Sequence, residues 1–129
     1  MELYVGGYAQ GKTDYVKRKY KGEPLVVIDG ETTGLGFEDA DLTAQPERAL
    51  FLHFHLWIRR LLSEGKDAEA WLHSHPDCVI VADEIGNGIV PMKRAEREYR
   101  DRLGRILISI AAESERVERV ICGIGQRLK

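Results

Sequence analysis

The chain has 129 residues, 43% hydrophobic and 31% charged, an ordinary globular balance that excludes a disordered or fibrous protein and supplies one compact domain over residues 1–129. Nineteen Lys and Arg against 21 Asp and Glu leave a formal charge of −2, so there is no global field of the kind that nonspecific nucleic-acid binding requires. No apolar run approaches the length of a membrane span, and the start MELYVGGYAQ lacks a signal-peptide pattern, so the cytoplasm is the expected location.

Leu3-Tyr4-Val5 reads as a short strand ending at Gly6-Gly7, and Gly11-Lys12-Thr13 leads into a helix over Asp14 to Tyr20. After the break at Gly22-Glu23-Pro24, Leu25 to Ile28 is a β-branched run of the type covered on both faces, with Asp29 at its end. Gly30 to Gln45 reads as a long surface loop. Pro46 then suits a first helical position, and Leu50, Phe54, Trp57, Ile58 and Leu61 follow at helical spacing to about Ser63, where Gly65 stops the helix.

Ala68 to His75 can add a helical turn or two before Pro76, and Cys78 to Ala82 reads as a buried strand ending at Asp83-Glu84. Beyond the Gly86-Asn87-Gly88 loop, a charged helix turns Ala95, Tyr99, Leu103, Ile106 and Ile110 to the core, and Val117 to Cys122 forms the last main strand. Gly123 and Gly125 turn the chain into a basic tail, Gln126 to Lys129. Cys78 and Cys122, each in a β-branched run, read as small buried hydrophobes without a disulfide or zinc site. Strands alternating with helices predict a three-layer α/β fold of the P-loop NTPase kind, with a mainly parallel sheet.

Gly6-Gly7-Tyr8-Ala9-Gln10-Gly11-Lys12-Thr13 satisfies G-x-x-x-x-G-K-[ST] without a mismatch, between a strand and a helix. Glycines let the backbone curl its N–H groups toward phosphate oxygens, and the helix start adds positive potential. Lys12, on a solvent-facing loop, would reach the β and γ phosphates of ATP or GTP. The Thr13 hydroxyl would join the shell of a Mg²⁺ ion. Such sites recruit a carboxylate from a neighbouring strand end. Both Asp29 and the Asp83-Glu84 pair qualify, and Asp29 is preferred for the metal because four apolar residues lead into it. Asp83 or Glu84 is then free to orient an acceptor hydroxyl.

The phosphate loop, together with Asp83-Glu84-Ile85-Gly86-Asn87-Gly88-Ile89-Val90-Pro91, resembles the bifunctional adenosylcobinamide kinase / adenosylcobinamide-phosphate guanylyltransferase family of cobalamin biosynthesis. Arg94, Arg100, Asp101 and Gly104 match the family's following helix, and Gly123-Ile124-Gly125 is similar to its closing Ser-Gly-Ile-Gly. The resemblance implies a nucleotide-binding phosphotransferase with a cobinamide-like acceptor, and a homo-oligomer, since family members form trimers. It also implies a strand and a histidine that carries GMP, placed between the P-loop helix and the Leu25 strand. Only Asp14 to Pro24 intervene here, with no histidine, so guanylyl transfer through that residue is not expected. Leu107-Ile108 replaces the family's Asn-Gln, and core packing is expected in its place.

His53 and His55, two apart on the expected helix, would face opposite sides and read as boundary or surface residues. His73 and His75 would share a side only if extended. The reading that follows is a shortened P-loop kinase of this family. Its rivals are a non-catalytic nucleotide-binding protein and a small kinase or NTPase with another substrate.

Overall fold

A computed structural model of the chain describes residues 1–34, 48–84 and 93–129. Its elements in chain order are β1 (Glu2–Gly6), α1 (Lys12–Lys19), β2 (Leu25–Asp29), β3 (Arg48–Leu52), α2 (Phe54–Ser63), α3 (Glu69–Ser74), β4 (Val79–Asp83), α4 (Arg94–Glu113), β5 (Arg116–Ile121) and β6 (Ile124–Arg127). The strands form one sheet in the order β2-β3-β4-β1-β5-β6. Every neighbouring pair is parallel except β5 and β6.

Strand side chains alternate between two buried faces, as a sheet covered on both sides requires. Tyr4, Leu50, Leu52, Val79 and Val81 pack against Val16 and Tyr20 at α1. Leu3, Val5, Phe51, Ile80 and Ala82 face the other way, against Phe54, Trp57, Trp71, Leu103 and Ile110 from α2, α3 and α4. The expected three-layer α/β architecture is the one observed.

Three expectations fail locally. The stretch read as the start of a helix, Arg48 to Leu52, is strand β3, paired with β2 and β4. Its apolar run fits both periods, and pairing on both edges decides for the strand. Pro46, the expected helix start, lies outside the described residues. Second, β2 is not covered on both faces: it stands first in the strand order and Val27 is 53% exposed. Third, the tail is not a free end: β6 pairs back on β5 through the two-residue turn Cys122-Gly123, with φ of 51° and 73°. Positive φ at both positions is what a type I′ hairpin demands. The turn also leaves Cys122 exposed, while Cys78 is buried and both thiols are free.

Along α4, Leu103 and Ile110 are buried and Tyr99 and Ile106 pack partly against the core, but Ala95 is exposed. Leu107 also packs, whereas Ile108 is 72% exposed, so core packing replaces only one of the two amides.

Candidate functional site

The order of the strands reverses at β1, whose neighbours β4 and β5 continue the sheet in opposite directions. Ligands of open α/β sheets bind at such a point, beyond the carboxyl ends of the strands. β1 runs out there at Gly6, in register with Asp83 at the end of β4. The following loop is held by the β5–β6 hairpin: the Gly123 N–H donates to the Gln10 carbonyl at 2.8 Å, and the Cys122 N–H to Gln10 Oε1 at 2.8 Å. Gly11 takes a left-handed conformation (φ 80°) to start α1 at Lys12, and a side chain there would meet the Gly123 Cα at 3.3 Å. Glycine satisfies both demands.

A pocket of about 620 Å³ opens above this loop, lined by Tyr8 to Asp14 on one wall and by Glu31, His53, His55, Leu56, Arg59 and Tyr99 on the other, with Asp83 at its base. Lys12 is not solvent-facing as expected, for it is 7% exposed. Its ammonium donates to the Gly7 carbonyl at 2.7 Å and lies 2.6 Å from Asp83 Oδ1. Burial of that ammonium is tolerable because both partners are so close.

His55 completes the base of the pocket. Its Nδ1 accepts the Asp83 backbone N–H at 3.1 Å, and Nε2 lies 3.4 Å from Asp83 Oδ2. Since Nδ1 accepts, the ring proton resides on Nε2, facing the carboxylate. Burial pushes the His55 pKa down against the pull of Asp83, with His53 and Lys12 acting in the same direction as burial. The Tyr99 hydroxyl donates to the His55 carbonyl at 2.7 Å, and burial pushes that phenol up to about 12.

The carboxylate preferred for the metal is not beside the Gly6–Thr13 loop. β3 and β4 separate β2 from β1, and Asp29 is absent from the pocket wall. The positional argument for Asp29 therefore fails, and it is Asp83 that ends the strand next to Gly6. Asp29 instead accepts from the Glu31 N–H and from His53 Nδ1, each at 2.9 Å. Burial by itself would raise the Asp29 carboxyl, but these bonds outweigh it and hold the pKa below its usual value. The ligand atoms of Asp29, Glu31 and His53 lie within 4.8 Å of one another, the one such grouping among the described residues.

His53 is the residue that the sequence reading missed. It is not inside a helix but between β3 and α2, with φ of 50°. This brings the His53 and His55 rings to 6.3 Å, and both line the pocket. Phe51 on β3 packs against Phe54 and Trp57 on α2 at 5.2 and 5.1 Å between ring centroids, which fixes the junction from both sides. Gly30 lets β2 approach it, since a side chain there would lie 2.2 Å from the His53 carbonyl. Arg60 ties the same turn to α2, donating to the Gly30 and Thr33 carbonyls at 2.6 and 2.7 Å. A signal was available: Leu50-Phe51-Leu52-His53 is an apolar run ending in a polar residue, like the runs that end in Asp29 and Asp83.

Glu84 is not on the pocket wall; its N–H donates to the Gly6 carbonyl at 2.9 Å and its carboxylate lies 3.4 Å from Arg119. His73 is on α3, and His75 stacks on Trp71 at 4.3 Å, so these two do not form a shared site. Residues 85–91 of the second motif lie outside the described residues. Arg94, Arg100, Asp101 and Gly104 are on α4, and Gly123-Ile124-Gly125 forms the hairpin against the loop.

Residues 42–128 match the family described as cobinamide kinase / cobinamide phosphate guanyltransferase. This chain belongs to that family. The loop Gly6–Thr13 precedes the matched segment, so the match does not bear on it. Over 51 residues the chain is 43% identical to the bifunctional adenosylcobalamin biosynthesis protein CobU of Salmonella typhimurium, and equally to that of Escherichia coli. Each match covers 40% of this chain and 28% of the relative. No helix among the described residues is long and apolar enough to cross a membrane.

Proposed function

We propose that the pocket binds a purine nucleoside triphosphate with Mg²⁺ and transfers its γ-phosphoryl group to a hydroxyl of a cobinamide-type acceptor. The observation that carries this reading is the Lys12–Asp83 pair, 2.6 Å apart beneath a complete phosphate-loop motif at the switch point of the sheet. A triphosphate gives the Lys12 ammonium anionic oxygens in place of Asp83 Oδ1 and the Gly7 carbonyl. The exchange frees the Asp83 carboxylate, and Thr13 lines the same pocket. Together they offer the hard oxygen donors that suit Mg²⁺. A Mg²⁺ ion held by Asp83 and Thr13 would supply charge neutralisation to the phosphate oxygens.

The chain's own part is positioning and charge stabilisation. Loop N–H groups and Lys12 hold the transferred group, and the opposite wall, with Leu56, Arg59 and Tyr99, receives the acceptor. Guanylyl transfer is not part of this reading, because no histidine stands between Asp14 and Pro24.

Isothermal titration tests it. Lys12→Gln loses charge-assisted bonds of about 1.5–3 kcal/mol each, so affinity for ATP or GTP should fall at least tenfold. It also leaves Asp83 without its cation, so titration is run well below the variant's melting temperature. Equal affinity in wild type and variant would exclude the phosphate-loop assignment. Binding without turnover on cobinamide or on simpler alcohols would favour the non-catalytic rival.

A further inference from the structure

Within the phosphoryl-transfer reading just given, on which this inference rests, we propose that His53, oriented by Asp29, is the group that accepts the proton of the acceptor hydroxyl. The pocket has two walls, and the phosphate loop accounts for one of them. On the other, most polar groups are already committed. His55 has both ring nitrogens turned to Asp83, Tyr99 donates its hydroxyl to the His55 carbonyl, and Arg59 pairs with Glu96 while lying 5.1 Å over the Tyr99 ring. Asp83 is shared between Lys12 and His55, so it is poorly placed to take a proton from an incoming hydroxyl.

His53 differs. Its Nδ1 is held by Asp29 Oδ1 at 2.9 Å, which places the ring proton on Nδ1 because an ionised carboxylate can only accept. Nε2, the other ring nitrogen, has no partner among the described residues, and the side chain lines the pocket at 39% exposure. A carboxylate that fixes the tautomer of an imidazole lining a pocket, with the other ring nitrogen left unpaired, is an arrangement suited to general-base catalysis. Asp29 also accepts from the Glu31 N–H, and the His53 backbone sits at the β3–α2 junction.

The acceptor oxygen forms its bond to the γ-phosphorus as the bond from that phosphorus to the β–γ bridging oxygen breaks, and the nucleoside diphosphate leaves. The hydroxyl proton passes to His53 Nε2 and from there to water. Asp29 is a positioning residue and does not touch the acceptor.

The test has two parts. Nitrogen-resolved NMR of the full chain should show neutral His53 protonated on Nδ1, and Asp29→Asn, whose amide can donate to Nδ1, should move the proton to Nε2. With cobinamide and ATP, His53→Asn, which tolerates the left-handed backbone, and Asp29→Asn should each lower kcat about a hundredfold, with ATP affinity and KM unchanged. Added imidazole should restore part of the turnover of His53→Gly. The proposal is overturned by a wild-type His53 protonated on Nε2, by a kcat unchanged in His53→Asn, or by ATP affinity that falls in step with kcat. Broadening of His53 and Glu31 signals by Mn²⁺ without nucleotide would make the cluster a cation site and overturn it as well. Wild-type transfer that is indifferent to His53 defeats this inference alone, whereas a wild type that binds neither ATP nor GTP defeats the phosphate-loop reading and this inference with it.

Discussion

Asp29 and Asp83 have the same local sequence logic, a carboxylate that ends an apolar strand, yet they stand in different surroundings. Asp83 lies 2.6 Å from the Lys12 ammonium, whereas Asp29 is engaged by the His53 ring and the Glu31 N–H. The two amide variants should therefore separate. Asp83→Asn keeps shape but removes the carboxylate charge beside Lys12, so, under the proposed function, Mg²⁺ should lose about tenfold of its enhancement of triphosphate affinity. Asp29→Asn should leave that enhancement intact. Titrations with and without Mg²⁺ read the difference, and the opposite pattern would return the metal role to Asp29. Sequence alone could not choose, because the deciding quantity is the neighbour of each strand. It could place Gly6 to Thr13 between a strand and a helix, because that loop's position is local. His53 and His55 were hidden for the same kind of reason: on one helix they diverge, but across a strand end and a left-handed residue they converge.

Most elements were readable from periodicity and punctuation: β1, α1, β2, β4, α4 and β5 occur where apolar runs and Gly or Pro breaks place them. β3 was not, because Leu50, Phe54, Trp57, Ile58 and Leu61 keep a helical spacing across a strand and a helix joined at His53. Leu50 shows the difference, packing with Tyr4 and Val81 on the face opposite to Phe54 and Trp57. In sequence the closing hairpin reads only as a turn into a tail, although it braces the Gly6–Thr13 loop at Gln10. Gly123→Val tests that bracing. Its φ of 73° is costly for a β-branched residue, while the space around it is open, so the expected loss of about 1–2 kcal/mol in urea unfolding is conformational strain. The strain falls on the residue whose N–H holds the Gln10 carbonyl, so nucleotide affinity should fall too. Reduced stability with wild-type affinity would mean that the loop keeps its shape without the hairpin.

At the scale of the molecule, the layered α/β class follows from alternation, but the order of strands does not, since each crossover can place the next strand on either side. One charged cluster spans the sheet and α1 and makes a prediction about the whole fold. Glu118 on β5 is 3% exposed and accepts from Lys19, from the Tyr15 hydroxyl at 2.6 Å and from Arg116 at 3.1 Å. Burial by itself would raise its pKa, but these three donors outweigh burial and hold it at about 2, against an ordinary 4.5. A carboxyl whose folded pKa is depressed stabilises the fold above its unfolded pKa, and that contribution is lost as pH falls toward the folded value. The difference corresponds to about 3 kcal/mol, lost between about pH 4.5 and pH 2. Other carboxylates titrate in the same window, so the comparison is with Glu118→Gln. The variant should be less stable at pH 7, because it leaves Lys19 and Arg116 without their shared acceptor, and its stability should fall less steeply in acid. Urea unfolding at pH 7, 5, 4 and 3 measures both slopes. Parallel curves for the two proteins would show that Glu118 titrates near its ordinary value in the folded chain and that the cluster contributes no acid sensitivity.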